Sequence, residues 1–265
     1  MSVDATRADA SARARVRIGG VFVDAVDLTA AAERVDGFLA SRDPHQVVTV
    51  NLDFLAIARR SERFREVLNA ADLAVADGMP LVWLSRLGTR PLPERIAGVD
   101  LVDRSCTLAE RRGVSAFLLG GAPDVIRRAA RRLELRHPGL RIAGLYSPRF
   151  GPPSEEEDQE IVAMIRRAKP SLLLVALGAP RQDLWIREHL AELEVPVAIG
   201  VGCVFDLLAG IVSRAPGWMQ RRGLEWAHRL RLEPRRLWRR YLIDDVPTLA
   251  RLLAERFAAR GGEAA

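Results

Sequence analysis

Two spacings of apolar residues alternate along the chain: short continuous runs rich in Val, Leu and Ile, and longer stretches with apolar positions every three or four residues. The first spacing marks buried strands and the second amphipathic helices. Residues 47–50 form one such run, and helical spacing follows over 52–69. Further strands are expected at 73–75 and at 115–119, the latter stopped by Gly120-Gly121. A helix then runs from about Pro123 to Arg136. Ile126, Ala129, Ala130 and Leu133 share its apolar face, and Pro138-Gly139 ends it. Another strand is expected at 141–145. Ser154, with Glu157 three residues on, is a capping box that opens a helix to about Ala168. The runs at 172–177 and 195–201 read as strands, with a helix from Gln182 to Leu193 between them.

Repeated βα units with buried strands predict an α/β protein: an open, mostly parallel sheet with helices on both faces. The character changes after Val212, where tryptophans (Trp218, Trp226, Trp238) alternate with arginines in short helical stretches. The organisation expected is therefore a loose tail over 1–15, a core over 16–213 and a basic, helical C-terminal appendage over 214–265. The last residues, from 260, look loose again. Within the appendage Pro234 is expected to open a fresh helix with Leu237, Trp238, Tyr241 and Leu242 on its apolar side.

With 265 residues, 49% of them hydrophobic, the chain can bury one large core and a smaller attachment. Nothing in the first fifteen residues resembles an export signal, so a cytoplasmic location is expected. The best candidate for a membrane span, 195–212, is glycine-rich and carries Asp206; a strand running into a helix explains it better. Cys106 and Cys203 stand alone among apolar residues, and His45, His137, His189 and His228 show no ligand spacing. Neither a disulfide nor a structural zinc site is expected. The formal net charge is +6, and Lys169 is the only lysine. Between 214 and 240 stand nine arginines, opposed only by Glu225 and Glu233. Such a cluster expects an anionic partner: phosphate, nucleic acid or a lipid surface.

Ligands of open α/β sheets bind outside the carboxyl ends of the strands, and the unusual residues of this chain gather there. Asn51 follows one strand, Asp77-Gly78 the next, and Gly120-Gly121 a third. Gly178 with Gln182, and Gly200 and Gly202 with Asp206, follow the later two. Glycines at such turns let the backbone approach a phosphate, although each by itself also serves as a tight βα turn. The GGAPD segment at Gly120 is neither a dinucleotide fingerprint nor a phosphate-binding loop with its lysine. No Asp-x-Asp pair ends a strand, so a metal-bridged diphosphate is not indicated, and arginines or helix N-termini would take the charge of a leaving diphosphate. Asp77, set in the apolar stretch LAVADGMPLVWL, is the candidate general base, since desolvation raises a carboxylate pKa towards neutrality. Its bland alternative is a turn or cap before Pro80. Arg95 is a phosphate clamp or a surface arginine, and Asp206 either meets a sugar or caps a helix.

The blocks VTVNLDFL, ADGMPLVW, ERIAGVDLV, FLLGGAPDV, ALGAPRQDLWI and GVGCVFDLLAG, followed by RAPGWMQRRGLEWAHRL and PRRLWRRYL, resemble in order and spacing the WecG/TagA/CpsF glycosyltransferase family. The resemblance runs from about Arg17 to Leu253. It implies an inverting, metal-independent transferase needing no cofactor, with a Rossmann-like core, a UDP-sugar donor, often UDP-N-acetylmannosamine, and an acceptor carried on undecaprenyl diphosphate. It also implies a peripheral place on the inner face of the cytoplasmic membrane, met through the appendage. Carried onto this chain, Asp77 is the base, with Thr49 and Asn51 as the polar pair beside it. Arg95 and Gln182 line the pocket, and Arg229, Arg236 and Arg239 meet a diphosphate. The pair Met79-Pro80 and the pair Cys203-Val204 depart from the usual residues. The rival readings are a basic nucleic-acid-binding protein and a nucleotide-binding protein without turnover. The tail-confined charge and the lack of a nucleic-acid motif speak against the former, Asp77 with Arg95 against the latter. A homo-oligomer is compatible with the sequence.

Overall fold

The computed structural model describes residues 14–149, 151 and 154–263; most of the expected N-terminal tail, 1–13, lies outside them. Arg15 already opens β1 (Arg15–Ile18), which pairs antiparallel with β2 (Val21–Asp24). The connecting Gly19 and Gly20 have φ of 58° and 85°, as a two-residue hairpin turn demands. This hairpin is not anticipated by the sequence reading.

The runs expected as strands become β3 (His45–Val50), β4 (Leu73–Ala76), β5 (Ser115–Gly120), β6 (Arg141–Tyr146), β7 (Leu172–Ala176) and β8 (Val197–Gly200). They form one six-stranded sheet in the order β4-β3-β8-β7-β5-β6, with every pairing parallel. The strand period of two sorts their side chains between the faces. Val47, Val75, Leu118, Leu174 and Ile199 join one apolar cluster, while Val48, Val50, Phe117, Leu173 and Val175 feed the two clusters opposite.

The helices of the core are α1 (Leu28–Ser41), α2 (Leu52–Arg60), α3 (Glu62–Ala70), α4 (Met79–Arg86), α5 (Gly98–Arg111), α6 (Pro123–Arg136), α7 (Glu155–Ala168), α8 (Arg181–Leu193) and α9 (Val204–Leu208). α1, α5 and α6 cover the first face; α2, α3, α7 and α8 cover the second. The single helix expected over 52–69 is two. Ser61 is extended (φ −129°, ψ 107°), its N–H closes α2 on Ile57 O, and its hydroxyl accepts from Phe64 N at 3.2 Å to cap α3. A serine that caps competes with the helix it interrupts. The capping box at Ser154 forms as expected, Oγ accepting from Glu157 N at 3.2 Å.

Beyond Arg214 the chain leaves the sheet for α10 (Gly217–Arg221), α11 (Glu225–Leu232), α12 (Pro234–Arg239), a π-helical turn (Arg240–Asp245) and α13 (Val246–Glu263). Pro234 opens α12 as expected, but its apolar side divides. Leu237 and Tyr241 pack inward, whereas Trp238 and Leu242 are 45% and 54% exposed. α13 continues past residue 260, where a loose end was expected, and returns to the core. Leu252 is buried in the same cluster as Leu55, Phe64 and Leu81. Arg240 meets Asp53 at 3.3 Å and Arg60 meets Asp244 at 2.7 Å, tying the π-helical turn to α2. The C-terminal segment thus begins apart from the sheet and ends against it. Among the described residues no helix is long and apolar enough to cross a membrane.

Candidate functional site

All six strands end on one edge of the sheet. The connection after β5 runs outward to β6 and that after β7 runs inward to β8, so a crevice is expected where the two part. Gly120 lies there with φ 103°, and a Cβ on it would stand 2.4 Å from Ala176 O. Gly121 (φ 72°) follows on the surface and donates its N–H to Ala176 O at 3.2 Å. These two glycines let β5 and β7 close on each other and leave their turn open to solvent.

Asp77 follows β4 and is half-buried. Its N–H donates to Val50 O at 2.7 Å, fixing it beside the end of β3. It does not cap α4, whose N-cap is Gly78 with no side-chain bond. Instead its carboxylate lies against the first turn of α5, where the Gly98 N–H favours its ionised form. A Cβ on Gly98 would lie 3.5 Å from Asp77 Oδ2 and 3.7 Å from Thr49 Cγ2, so glycine there lets the helix start approach the acid closely. Burial raises the Asp77 pKa to about 6, while Arg95 and the Gly98 N–H hold it down and Glu225 pushes it further up. A carboxylate poised there is ionised at neutral pH, yet basic enough to take a proton from a hydroxyl in the transition state.

The cations of the site come from two parts of the chain. Arg95 lies between β4 and α5, and its guanidinium is paired with Glu225 at the start of α11. Arg229, one turn along α11, acts electrostatically on both Asp77 and Cys203. Burial works against its charge, but Cys203, Tyr241, Glu233 and Asp77 outweigh it and raise its pKa. Burial pushes the Cys203 thiol up as well. Arg214 forms a two-pronged pair with Asp100 in the first turn of α5, at 2.7 and 2.6 Å. That pair anchors the beginning of the C-terminal segment next to Asp77.

The turn after β8 is held from both sides. Thr49 Oγ1 donates to Gly200 O at 3.3 Å, and Gln182 Oε1 accepts from Gly202 N at 3.0 Å. Gln182 is only 1% exposed, so it acts on the turn from beneath. Asp183 beside it is fully buried, and neither carboxylate oxygen has a well-formed hydrogen bond. Burial raises its pKa to about 7, with Gln182 easing the charge only in part. A Cβ on Gly200 would come within 2.4 Å of Asp183 Oδ1, which makes glycine necessary there.

The structure therefore brings Thr49, Asp77, Arg95, Gln182, Gly200, Gly202 and Arg229 around one carboxyl-edge site. Asn51 borders it, but its side chain is occupied as the N-cap of α2, accepting from Phe54 N at 3.1 Å. Asp206, in α9, is raised by burial and faces Arg236 and Glu233 rather than Asp77. Arg236 pairs with Glu233 at 2.6 Å on the surface, and Arg239 is exposed. Glu225, Asp183 and the Arg214–Asp100 pair are the members that sequence reasoning missed. The scarcity of acids between 214 and 240 was the one signal pointing to Glu225. Among the described residues no group of three His, Cys, Asp or Glu side chains is placed to hold a metal ion.

The model of the glycosyl transferase WecG/TagA/CpsF family matches residues 16–262. The chain is 36% identical over 205 residues to an N-acetylglucosaminyldiphosphoundecaprenol N-acetyl-beta-D-mannosaminyltransferase of Bacillus subtilis, 77% of each chain being covered. A Bacillus spizizenii protein of the same name is 35% identical over 81% of each chain. One from Staphylococcus aureus is 30% identical over 85% of this chain and 88% of its own.

Proposed function

The chain belongs to the WecG/TagA/CpsF glycosyl transferase family, and from that premise we propose that it transfers a hexose from a UDP-sugar, with inversion, to a glycan carried on a polyprenyl diphosphate. N-acetylmannosamine is the sugar and lipid-linked N-acetylglucosamine the acceptor that the relatives' names suggest. The observation that carries the reading is the Asp77 carboxylate, raised to about 6 and held on the first turn of α5 with Arg95 and Arg229 acting on it.

In this reading Asp77 takes the proton of the acceptor hydroxyl as its oxygen attacks the anomeric carbon. The bond from that carbon to the diphosphate oxygen breaks, and UDP leaves with the electron pair. Arg95 and Arg229 meet the charge that develops on the diphosphate. The turn from Gly200 to Gly202, held by Thr49 and Gln182, presents backbone beside the same space. No metal is assigned a part, because two arginines supply the charge that a metal would otherwise bring. The exposed Trp218, Trp226, Trp238, Leu242 and Ile243 suit the headgroup boundary of a bilayer, with neighbouring arginines on lipid phosphates. This supports a peripheral position on the inner face of the cytoplasmic membrane, where a lipid-carried acceptor is met.

The test is a screen of UDP-sugars for UDP release, with and without a polyprenyl-diphosphate N-acetylglucosamine acceptor. Acceptor-dependent release from one UDP-sugar is expected. Release that ignores the acceptor, or none from any UDP-sugar, would contradict the reading.

A further inference from the structure

The only two acids between residues 214 and 240 both lie against arginines of the candidate site. Glu225 is paired with Arg95, at side-chain exposures of 21% and 14%. Glu233 lies 2.6 Å from Arg236 and 4.0 Å from Arg229. Arg95 and Arg229 are the arginines proposed to meet the donor's diphosphate, and Arg236 shares Glu233 with Arg229. The second set fits poorly: Arg229 Nε and Glu233 Oε2 are both buried without a hydrogen-bond partner. An arginine cluster with no anion present would repel itself, and an internal carboxylate relieves that repulsion. A diphosphate, with more charge and more acceptor oxygens than one carboxylate, is the stronger partner for a guanidinium.

We infer that Glu225 is an internal stand-in for the donor's diphosphate: it holds Arg95 and must give way when the donor binds, with Glu233 doing the same for Arg229. The inference rests on the proposed UDP-sugar donor. Glu225 is a positioning residue, since it acts through Arg95 and is not required to touch the sugar. Its place on α11 makes donor binding and the release of α11 from Arg95 one event. Displacing Glu225 frees α11 from its contact with the core at Arg95, while the Arg214–Asp100 pair keeps the segment anchored. Trp226, adjacent in sequence and packed edge-on against Tyr241 at 6.1 Å, is placed to report that movement.

Binding of UDP and of inorganic diphosphate to the full-length protein, by calorimetry, decides the matter. Glu225→Gln keeps the shape and removes the charge, and should tighten both ligands by about threefold or more, the scale of a partly shielded ion pair. Glu225→Asp keeps the charge and should bind like the parent. In an Arg95→Ala background both ligands should bind weakly, and Glu225→Gln should then change nothing. Donor KM should fall in Glu225→Gln more than kcat changes. The acidic limb of the rate profile should move to lower pH, because Glu225 raises the Asp77 pKa. Equal affinity of Glu225→Gln and the parent, with Arg95→Ala still weakening both ligands, would overturn the stand-in and leave the donor reading intact. Tighter binding by Glu225→Asp as well would overturn it too, since charge would not be the cause. If Arg95→Ala has no effect on UDP, the donor site itself is misplaced and the stand-in falls with it.

Discussion

Arg95 and Glu225 stand 130 residues apart in the chain, and their side chains pair beside Asp77, one from the βα core and one from the C-terminal segment. The pair makes the site a composite. The sheet supplies the acid at the end of β4, and the helices after Arg214 supply charges that tune it. Removing either partner changes the Asp77 pKa in opposite senses: losing Arg95 raises it, losing Glu225 lowers it.

Two acids raised by burial predict how stability depends on pH. Burial raises Asp77 to about 6 and Asp183 to about 7, against 3.8 for an ordinary aspartate. The folded state therefore keeps protons that the unfolded chain has already released. That contribution is complete below about pH 4 and is lost as the pH rises through 6 and 7. The thermal midpoint should fall between pH 5 and 8, and Asp183→Asn should flatten the slope. A midpoint that rises over this range, or an unchanged slope in the variant, would contradict the account.

Gly120 carries the close approach of β5 and β7. Gly120→Ala adds a Cβ 2.4 Å from Ala176 O at a φ of 103°. Strain and overpacking together should cost about 2–4 kcal/mol. Chemical denaturation gives the number, and a loss below about 1 kcal/mol would mean that the strands can part without cost.

Much of the fold is legible in the sequence because five of the six parallel strands are buried and leave continuous apolar runs, while the edge strand β6 is partly exposed. The hairpin from Arg15 to Asp24 leaves a weaker signal: Arg15 and Arg17 break the apolar pattern of β1, β2 offers only Val21-Phe22-Val23, and the register is set by Gly19-Gly20. Ser61 shows the limit of periodicity, since the apolar spacing continues across a break that one hydroxyl creates. For the site, Asp77 is legible as a polar residue in an apolar stretch. The part of Gln182 is not, because whether an amide faces a pocket or holds Gly202 from beneath depends on packing between α8 and β8. Nor could Glu225 be matched to Arg95, for charge along a chain does not say what folds against it.

If Arg95 and Arg229 meet the diphosphate, as proposed, the reaction needs no metal. Turnover should survive excess EDTA and should gain nothing from added magnesium or manganese. Loss of rate on chelation, restored by either ion, would transfer that charge to a metal.

Membrane contact is tested without disturbing the core by replacing exposed apolar residues. Trp238→Ala with Leu242→Ala should sediment less with anionic vesicles at low salt and melt like the parent. Deleting 214–265 is a poorer test, because it strips Leu252 from the cluster around Leu55 and Phe64 and should destabilise what remains. Undiminished sedimentation of the double variant would mean that this face does not meet the bilayer.

As the proposed base of glycosyl transfer, Asp77 is probed by Asp77→Asn. Formation of the lipid-linked disaccharide and binding of UDP are measured side by side for the parent and the variant. The variant keeps size and shape, and a base acts on the acceptor rather than on the nucleotide. Transfer should therefore fall by about 10²–10⁴-fold while UDP affinity stays within about threefold. Transfer within about threefold of the parent, with UDP binding intact, would show that another group takes the proton.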